Sequence, residues 1–335
     1  MKRFEHVLVT GGAGYVGSLL VRQLLEAGYQ VTVYDIMYYG SAHLGAHPNL
    51  RIVRGDIRDT PHLSTTLGRC DAVIHLACIS NDASFELDEA LSRTVNYECF
   101  EPMVVAAKRA GVKRFVYASS SSVYGVSEHP DVTEDHPLVP LTLYNKYKGL
   151  CEPLLFKHQS RDFDCVTIRP ATICGYAPRL RLDLSVNILT NHAVTNRKIL
   201  VFGGSQMRPN LHVQDMCDLY LLMLEVPDRL IAGQIFNVGH QNMAIADIAE
   251  TVRRAVQQLN PGAPPISVET TPSNDLRSYH INSDKIARVL GYRPKRGVAE
   301  AVEDLCEAFR RGLIPDSMTS DRYYNVRTMK ALQAR

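Results

Sequence analysis

The sequence lacks the features that would assign it to a membrane, a nucleic acid or a metal. No apolar run approaches the ~18 residues of a membrane span. Lys and Arg number 37 against 35 Asp and Glu, a net charge of +2, and no long block of one sign occurs. That balance argues against a polybasic surface for nucleic acid or lipid. The eight cysteines (Cys70, Cys78, Cys99, Cys151, Cys165, Cys174, Cys217, Cys306) are scattered, with no C-x-x-C pair and no Cys–His cluster at zinc spacing. They read as reduced thiols, and no metal is expected. Internal repeats and low-complexity tracts are also missing. Met1, Lys2, Arg3, Phe4, Glu5 and His6 lead straight into a strand rather than a signal peptide, so the expectation is a soluble, cytoplasmic protein.

What is present is a large apolar inventory: 45% hydrophobic residues in 335, enough for two domains or one large α/β unit with an appendage. The first 120 residues alternate short apolar runs with longer amphipathic stretches. Residues 6–9, 30–34, 50–53, 72–77 and 114–118 are β-like, while 18–27 and 89–110 are helix-like. Strands apolar on both faces, separated by helices, predict an α/β fold, a Rossmann-type doubly wound parallel sheet. A further β-like run, 164–169, precedes a change of texture. Residues 174–208 are rich in Arg, Asn and Leu, and 261–272 is proline-rich and reads as loop. A helix at 213–224 and a strand at 235–238 look like a return to the first unit.

The first strand runs into Thr10, Gly11, Gly12, Ala13, Gly14, Tyr15, Val16 and Gly17, followed by a helical pattern. Glycines at 11, 14 and 17 allow a tight turn, close approach to a pyrophosphate, and a helix N-terminus whose amides favour anions. The second strand ends in Asp35, 18 residues beyond Gly17. An acidic side chain there accepts from an adenosine ribose and repels a 2′-phosphate, which favours NAD over NADP. Asp56 and Ile57 follow the third strand at the expected adenine edge, and Leu76 and Ala77 follow the fourth, beside the cofactor.

Tyr144 and Lys148 sit four apart, on one face of a helix that Thr142 can cap. A phenol becomes a useful base near pH 7 only when a cation stabilises its phenolate, and Lys148 is placed to do this and to hold a nicotinamide ribose. Upstream, Ser119, Ser120, Ser121 and Ser122 offer hydroxyls to a substrate oxygen.

These motifs, with Ser122 to Gly125 and Arg208 followed by His212-Val-x-Asp215, resemble the extended short-chain dehydrogenase/reductase superfamily in its nucleotide-sugar epimerase and dehydratase branch. The resemblance implies Tyr144 as acid/base, Lys148 as its electrostatic partner and Ser120 as the hydroxyl on the reacting oxygen. It implies substrate contacts from Ser120, Ser121, Asn187, Arg208 and Arg277, the arginines clamping a diphosphate. It divides the chain into an NAD-binding Rossmann domain, residues 1–173 with returning segments about 211–240, and a mainly nucleotide-sugar-binding domain, 174–335. It further implies a homodimer through a four-helix bundle built from residues 98–110 and 144–158.

One departure narrows the chemistry. The 4,6-dehydratases of this branch follow the hydroxyl residue with an Asp-Glu pair, whereas here Ser121 and Ser122 stand. Serine is neither a carboxylic acid nor a carboxylate base. The sequence therefore points to a nucleotide-sugar 4-epimerase, with a 4-dehydrogenase or ketosugar reductase using the same residues as the alternative. A dehydratase would need a carboxylate from elsewhere, such as Asp82 or Glu86, and a non-catalytic NAD-binding regulator ranks last because Tyr144 and Lys148 are both retained. The string around Arg179, Arg181 and Asp183 resembles GDP-heptose 4-dehydrogenases and leaves the nucleotide base open. Pro153 is expected to kink the helix beyond the catalytic pair.

Overall fold

The computed structural model describes residues 2–127, 129–273 and 278–333. Its centre is a seven-stranded sheet. β1 (His6–Thr10), β2 (Gln30–Asp35), β3 (Leu50–Arg54), β4 (Ala72–His75), β5 (Arg114–Ala118) and β6 (Asp164–Pro170) all pair in parallel. Three short later strands follow, β7 (Thr172–Cys174), β8 (Lys198–Phe202) and β9 (Met207–His212), before β10 (Gln234–Val238) returns to pair with β6. The order across the sheet is β10-β6-β5-β4-β1-β2-β3. Strand order therefore reverses between β1 and β4, which opens a crevice at their carboxyl ends where such folds take ligands.

Helices cover both faces because the strands bury both. Val7, Val9, Val31, Val33 and Ile74 face one helical layer, with α1 (Tyr15–Glu26) and, later in the chain, the helix Val213–Glu225. Leu8, Tyr34, Val73, Phe115 and Tyr117 face the other. That second layer holds α2 (Thr60–Leu67), with the short turns α3 (Asp82–Phe85) and α4 (Glu89–Arg93) nearby. It is completed by α5 (Phe100–Arg109) and α6 (Leu143–Phe156). The stretch 89–110, continuous by pattern, is broken by a π-turn at Thr94–Glu98. The break turns Asn96 inward, where its Oδ1 accepts from the Ile79 amide at 2.8 Å and its Nδ2 donates to the Ile79 carbonyl at 2.9 Å.

Past β6 the chain builds a smaller layer, with α7 (Ser185–Asn196), β11 (Gln241–Ala244) and α10 (Ile245–Leu259), while α8 (Val213–Glu225) and the turn α9 (Asp228–Ile231) pack on the large sheet. Within the proline-rich stretch expected to be loop lies β12 (Ser267–Thr271), paired in parallel with β8. The two prolines before it, Pro264 and Pro265, stop short of the paired residues, so the ladder loses no donor. α11 (Asp284–Leu290), α12 (Val298–Arg310) and α13 (Asn325–Gln333) complete the chain. The core of this layer is formed by α7, α10 and α12 through Val186, Ile248, Val252 and Val302. Among the described residues no helix is long and apolar enough to cross a membrane.

At the foot of the crevice, His75 Nδ1 lies 2.6 Å from the Thr10 hydroxyl and the ring stacks on Tyr117. Burial, reinforced by the Lys148 charge, pushes its pKa down to about 3. The unfolded chain therefore binds a proton between about pH 6.5 and pH 3 that the folded chain refuses, so acidification erodes stability across that window. Replacing His75 by Gln should flatten the dependence of unfolding free energy on pH, by up to about 1.4 kcal/mol per pH unit between about pH 6 and pH 4. Urea melts at several pH values check this, and equal slopes for the two proteins would show that His75 does not carry the effect.

Candidate functional site

A cavity of about 480 Å³ occupies the crevice, walled by the glycine loop, the ends of β2, β4 and β5, the start of α6 and the chain after β6. The glycine loop fits a dinucleotide on steric grounds. Gly11 has φ +72°, and a Cβ there would stand 2.6 Å from the Ala77 amide; one on Gly17 would stand 2.5 Å from the Gly11 carbonyl. The backbone is thus drawn tight under α1. That helix starts at Gly14 with no side-chain cap and no acidic residue in its first turn, so its leading amides remain available to an anion. Gly11, Gly14, Tyr15, Val16, Gly17, Asp35, Asp56, Ile57, Leu76 and Ala77 all line the cavity. The Tyr15 hydroxyl itself points away, donating to the Gly175 carbonyl at 2.5 Å.

Asp35 stands where the loop meets β2. Its Oδ2 accepts from the Ala13 amide at 3.0 Å and its Oδ1 from the Met37 amide at 2.8 Å. Burial raises its pKa, and these amides together with His43 and Arg179 oppose that. The carboxylate therefore holds the glycine loop in place while its remaining lone pairs face the cavity.

Across the crevice, Thr142 caps α6 by accepting from the Asn145 amide, which sets Tyr144 and Lys148 on the cavity side of the first turns. Lys148 is buried; its Nζ donates to the Ala118 carbonyl at 2.7 Å and lies 5.2 Å from the centre of the Tyr117 ring. Tyr144 is half-buried, and desolvation pushes its phenol well above the ordinary value, with Cys78 and Asp82 adding to the rise. The groups that oppose it are Arg181 and the Asn81 backbone. The helix runs on through Pro153 to Phe156, beyond the Tyr144–Lys148 pair.

Ser120 and Ser122 hydroxyls meet at 2.7 Å, and Ser122 Oγ is 2.5 Å from Asn145 Oδ1. Ser121 is buried and lines the cavity beside them. Arg208 reaches the cavity from β9, its guanidinium 5.4 Å from the Tyr279 ring centre. Arg277 lies outside the described residues. Asn187, expected on the substrate pyrophosphate, sits elsewhere. It is fully buried behind the wall, where Nδ2 donates to the Arg181 carbonyl at 2.8 Å and the Tyr15 hydroxyl at 3.1 Å, and Oδ1 accepts from the Gly175 amide at 3.0 Å. The first turn of α7 faces inward, so this asparagine stitches β7 to the glycine loop and does not face the cavity.

Several contributors had no signal in the sequence. Asn96 holds Ile79, Asn145 holds Ser122, and Asn325 of the C-terminal helix donates to Ser80 at 2.9 Å and accepts from Arg179 at 2.5 Å. These side chains meet partners tens to hundreds of residues away, which no local pattern encodes.

A parallel sheet with its glycine loop, acidic β2 terminus and Tyr-x-x-x-Lys helix around one cavity defines a dinucleotide-dependent enzyme class. The chain belongs to the NAD dependent epimerase/dehydratase family, whose pattern it matches over residues 7–239. It is similar to a dTDP-glucose 4,6-dehydratase of Streptomyces griseus, 31% identical over 310 residues, covering 89% of this chain and 92% of that one. It is also similar to a UDP-glucose 4-epimerase of Lactobacillus helveticus, 28% identical over 328 residues, covering 89% and 94%. Among solved structures it resembles the dTDP-glucose 4,6-dehydratase DesIV of Streptomyces venezuelae, determined with NAD bound. That match has a TM-score of 0.80 at 27% identity and covers 92% of this chain and 98% of that one. Both activities thus occur among its relatives, and the cofactor is NAD.

Removing the Asp35 carboxylate should loosen the glycine loop and abolish the repulsion of a 2′-phosphate. Asp35→Ala should bind NAD at least tenfold more weakly and prefer it less over NADP, as read by calorimetric titration with both dinucleotides. An unchanged NAD-to-NADP ratio would remove Asp35 from the recognition.

Proposed function

We propose that this protein is an NAD-dependent nucleotide-sugar 4-epimerase. The observation that carries the reading is the hydroxyl cluster after β5: Ser120, Ser122 and Asn145 form a chain of neutral polar side chains, with a carboxylate at none of the three positions. Epimerisation at C4 takes one proton from a hydroxyl and later returns it, and Tyr144 is the group placed for both transfers. NAD, when bound, supplies the hydride acceptor. Lys148, one turn further along α6, lines the same cavity and would hold a nicotinamide ribose.

The serine relay orients the reacting oxygen. Asn145 Nδ2 is buried with no hydrogen-bond partner among the described residues. Half a turn of the amide makes Nδ2 the donor to Ser122, Ser122 the donor to Ser120, and leaves the Ser120 proton for a substrate oxygen. Arg208, at the far end of the cavity, suits a diphosphate by its permanent charge and paired donors. The outward faces of α5 and α6, where Leu150 is 39% exposed, would pair two copies of the chain.

A second reading rests on Asp82, which lines the same cavity and accepts a hydrogen bond from the Thr142 hydroxyl at 2.6 Å. A carboxylate there could serve the elimination step of a dehydratase.

The test is incubation of NAD-loaded protein with a panel of UDP-, dTDP-, GDP- and CDP-sugars. The reading predicts a product of unchanged mass and inverted C4, abolished by Tyr144→Phe without loss of bound NAD. Loss of water, suppressed by Asp82→Asn, would establish the dehydratase instead. A product differing by two hydrogens and requiring added dinucleotide would establish net oxidation or reduction.

A further inference from the structure

Arg179 lies in the cavity wall, 6% exposed, and three attachments place it on the glycine-loop side. Its backbone N–H donates to Ser18 Oγ at 3.1 Å, one residue past Gly17 on α1. Its guanidinium carbon stands 3.6 Å from the centre of the Tyr39 ring, four residues past Asp35. The chain leaves β2 through Met37 at φ +64°, rare for a residue with a Cβ, and the Gly40 amide closes that turn on the Met37 carbonyl at 3.0 Å. Tyr39 is thereby carried over the guanidinium. On the third side Nη2 donates to Asn325 Oδ1 at 2.5 Å, and Asn325 is itself fixed: its amide donates to Asp183 Oδ2 at 3.0 Å and its Nδ2 to the Ser80 hydroxyl at 2.9 Å.

These partners hold the cation without neutralising it. A ring face and an amide oxygen carry no formal charge, and no carboxylate forms an ion pair with Arg179 among the described residues. The two acids of the same wall are taken by other groups: Asp35 by the Ala13 and Met37 amides, Asp183 by Arg181 Nε at 2.9 Å and by the Asn325 amide. Burial pushes the Arg179 pKa down to about 10, which leaves it charged at neutral pH. Nε is buried without a partner, and Nη1, also unbonded among the described residues, is the corner left to the cavity. A desolvated cation with neutral partners is costly unless an anion completes it. The anion that suits a guanidinium beside a helix N-terminus is a phosphate group.

We propose that Arg179 is a cofactor-binding residue: held by Tyr39 and Asn325, its guanidinium gives a charge-assisted hydrogen bond to the diphosphate of the dinucleotide, alongside the leading amides of α1. The C-terminal helix α13 thereby becomes part of the cofactor site, through Asn325 at its start and Met329, which lines the same cavity. A nucleotide sugar carries a diphosphate too. The bond to Ser18 and the stack on Tyr39 assign the guanidinium to the dinucleotide, since both partners belong to the elements that carry the glycine loop and Asp35.

The test compares ligands that differ in their phosphates. Protein free of NAD is titrated calorimetrically with ADP-ribose and with adenosine, which offers the same base and ribose without the diphosphate. Arg179→Gln should weaken ADP-ribose about tenfold or more and leave adenosine within about twofold of wild type. The same variant, saturated with NAD, is then titrated with UDP, dTDP and GDP to read the sugar-nucleotide side, and these should bind as they do to wild type. If Arg179→Gln fails to fold, Asn325→Asp places a carboxylate on the guanidinium and must weaken ADP-ribose in the same direction. Unchanged ADP-ribose binding overturns the proposal, as does an equal loss for adenosine, which marks a collapsed wall. A loss confined to UDP, dTDP or GDP assigns Arg179 to the sugar nucleotide and overturns it as well. Since no turnover is measured, failure of the epimerase reading would show in the sugar panel and not here.

Discussion

The site depends on a buried ion pair that stands behind the cavity wall. Glu152, two turns beyond Tyr144 on α6, receives both Nε and Nη2 of Arg169 on β6, at 3.0 and 2.5 Å, and the Ser119 hydroxyl at the end of β5, at 2.6 Å. The same guanidinium donates to the Tyr124 hydroxyl, which donates to Asn237 on β10. One carboxylate thus sets α6 against β5 and β6 and fixes the backbone that presents Ser120. Its charge is matched inside the protein, and removing either partner would strand the other in low dielectric. The position of Tyr144 relative to Ser120 follows from that constraint more than from the helix itself.

On this frame the cavity is electrostatically divided. Its glycine-loop side offers amides of a helix N-terminus, ordered by Asp35, and suits the diphosphate of NAD. Arg208 and the linked Ser120 and Ser122 hydroxyls line the same cavity. Between them stands Tyr144, whose desolvation opposes ionisation. Arg181 and the Asn81 backbone oppose that effect, and Lys148 lines the same cavity one turn along α6. The C-terminal helix joins this arrangement through Asn325, so the last segment of the chain belongs to the wall of the site.

The sheet was legible because parallel strands buried on two faces are written as contiguous apolar runs, and the glycine loop because its steric demand is local. Tyr144 and Lys148 were legible for the same reason, being one helical turn apart. The break at Thr94–Glu98 was not, since an amphipathic period continues through it and only the Asn96–Ile79 bonds favour the π-turn. β12 was hidden by the prolines around it, which lie outside the paired residues. Asn187 was placed on the substrate by its position in a string, yet its side chain is consumed by Gly175, Tyr15 and Arg181. Arg181 shows the general limit: its partner Ser80 lies 101 residues away, a distance across which only the folded chain has information.

The central claim is that a hydrogen leaves C4 of a nucleotide sugar and returns to the same carbon from the other face without escaping. The direct measurement uses the sugar that turns over, deuterated at C4, with NAD-loaded protein in ordinary water. The account predicts an epimeric product that keeps its deuterium at C4, with none in solvent and none in released dinucleotide. Deuterium recovered in free NADH, or found at C6 of a product that has lost water, would contradict it.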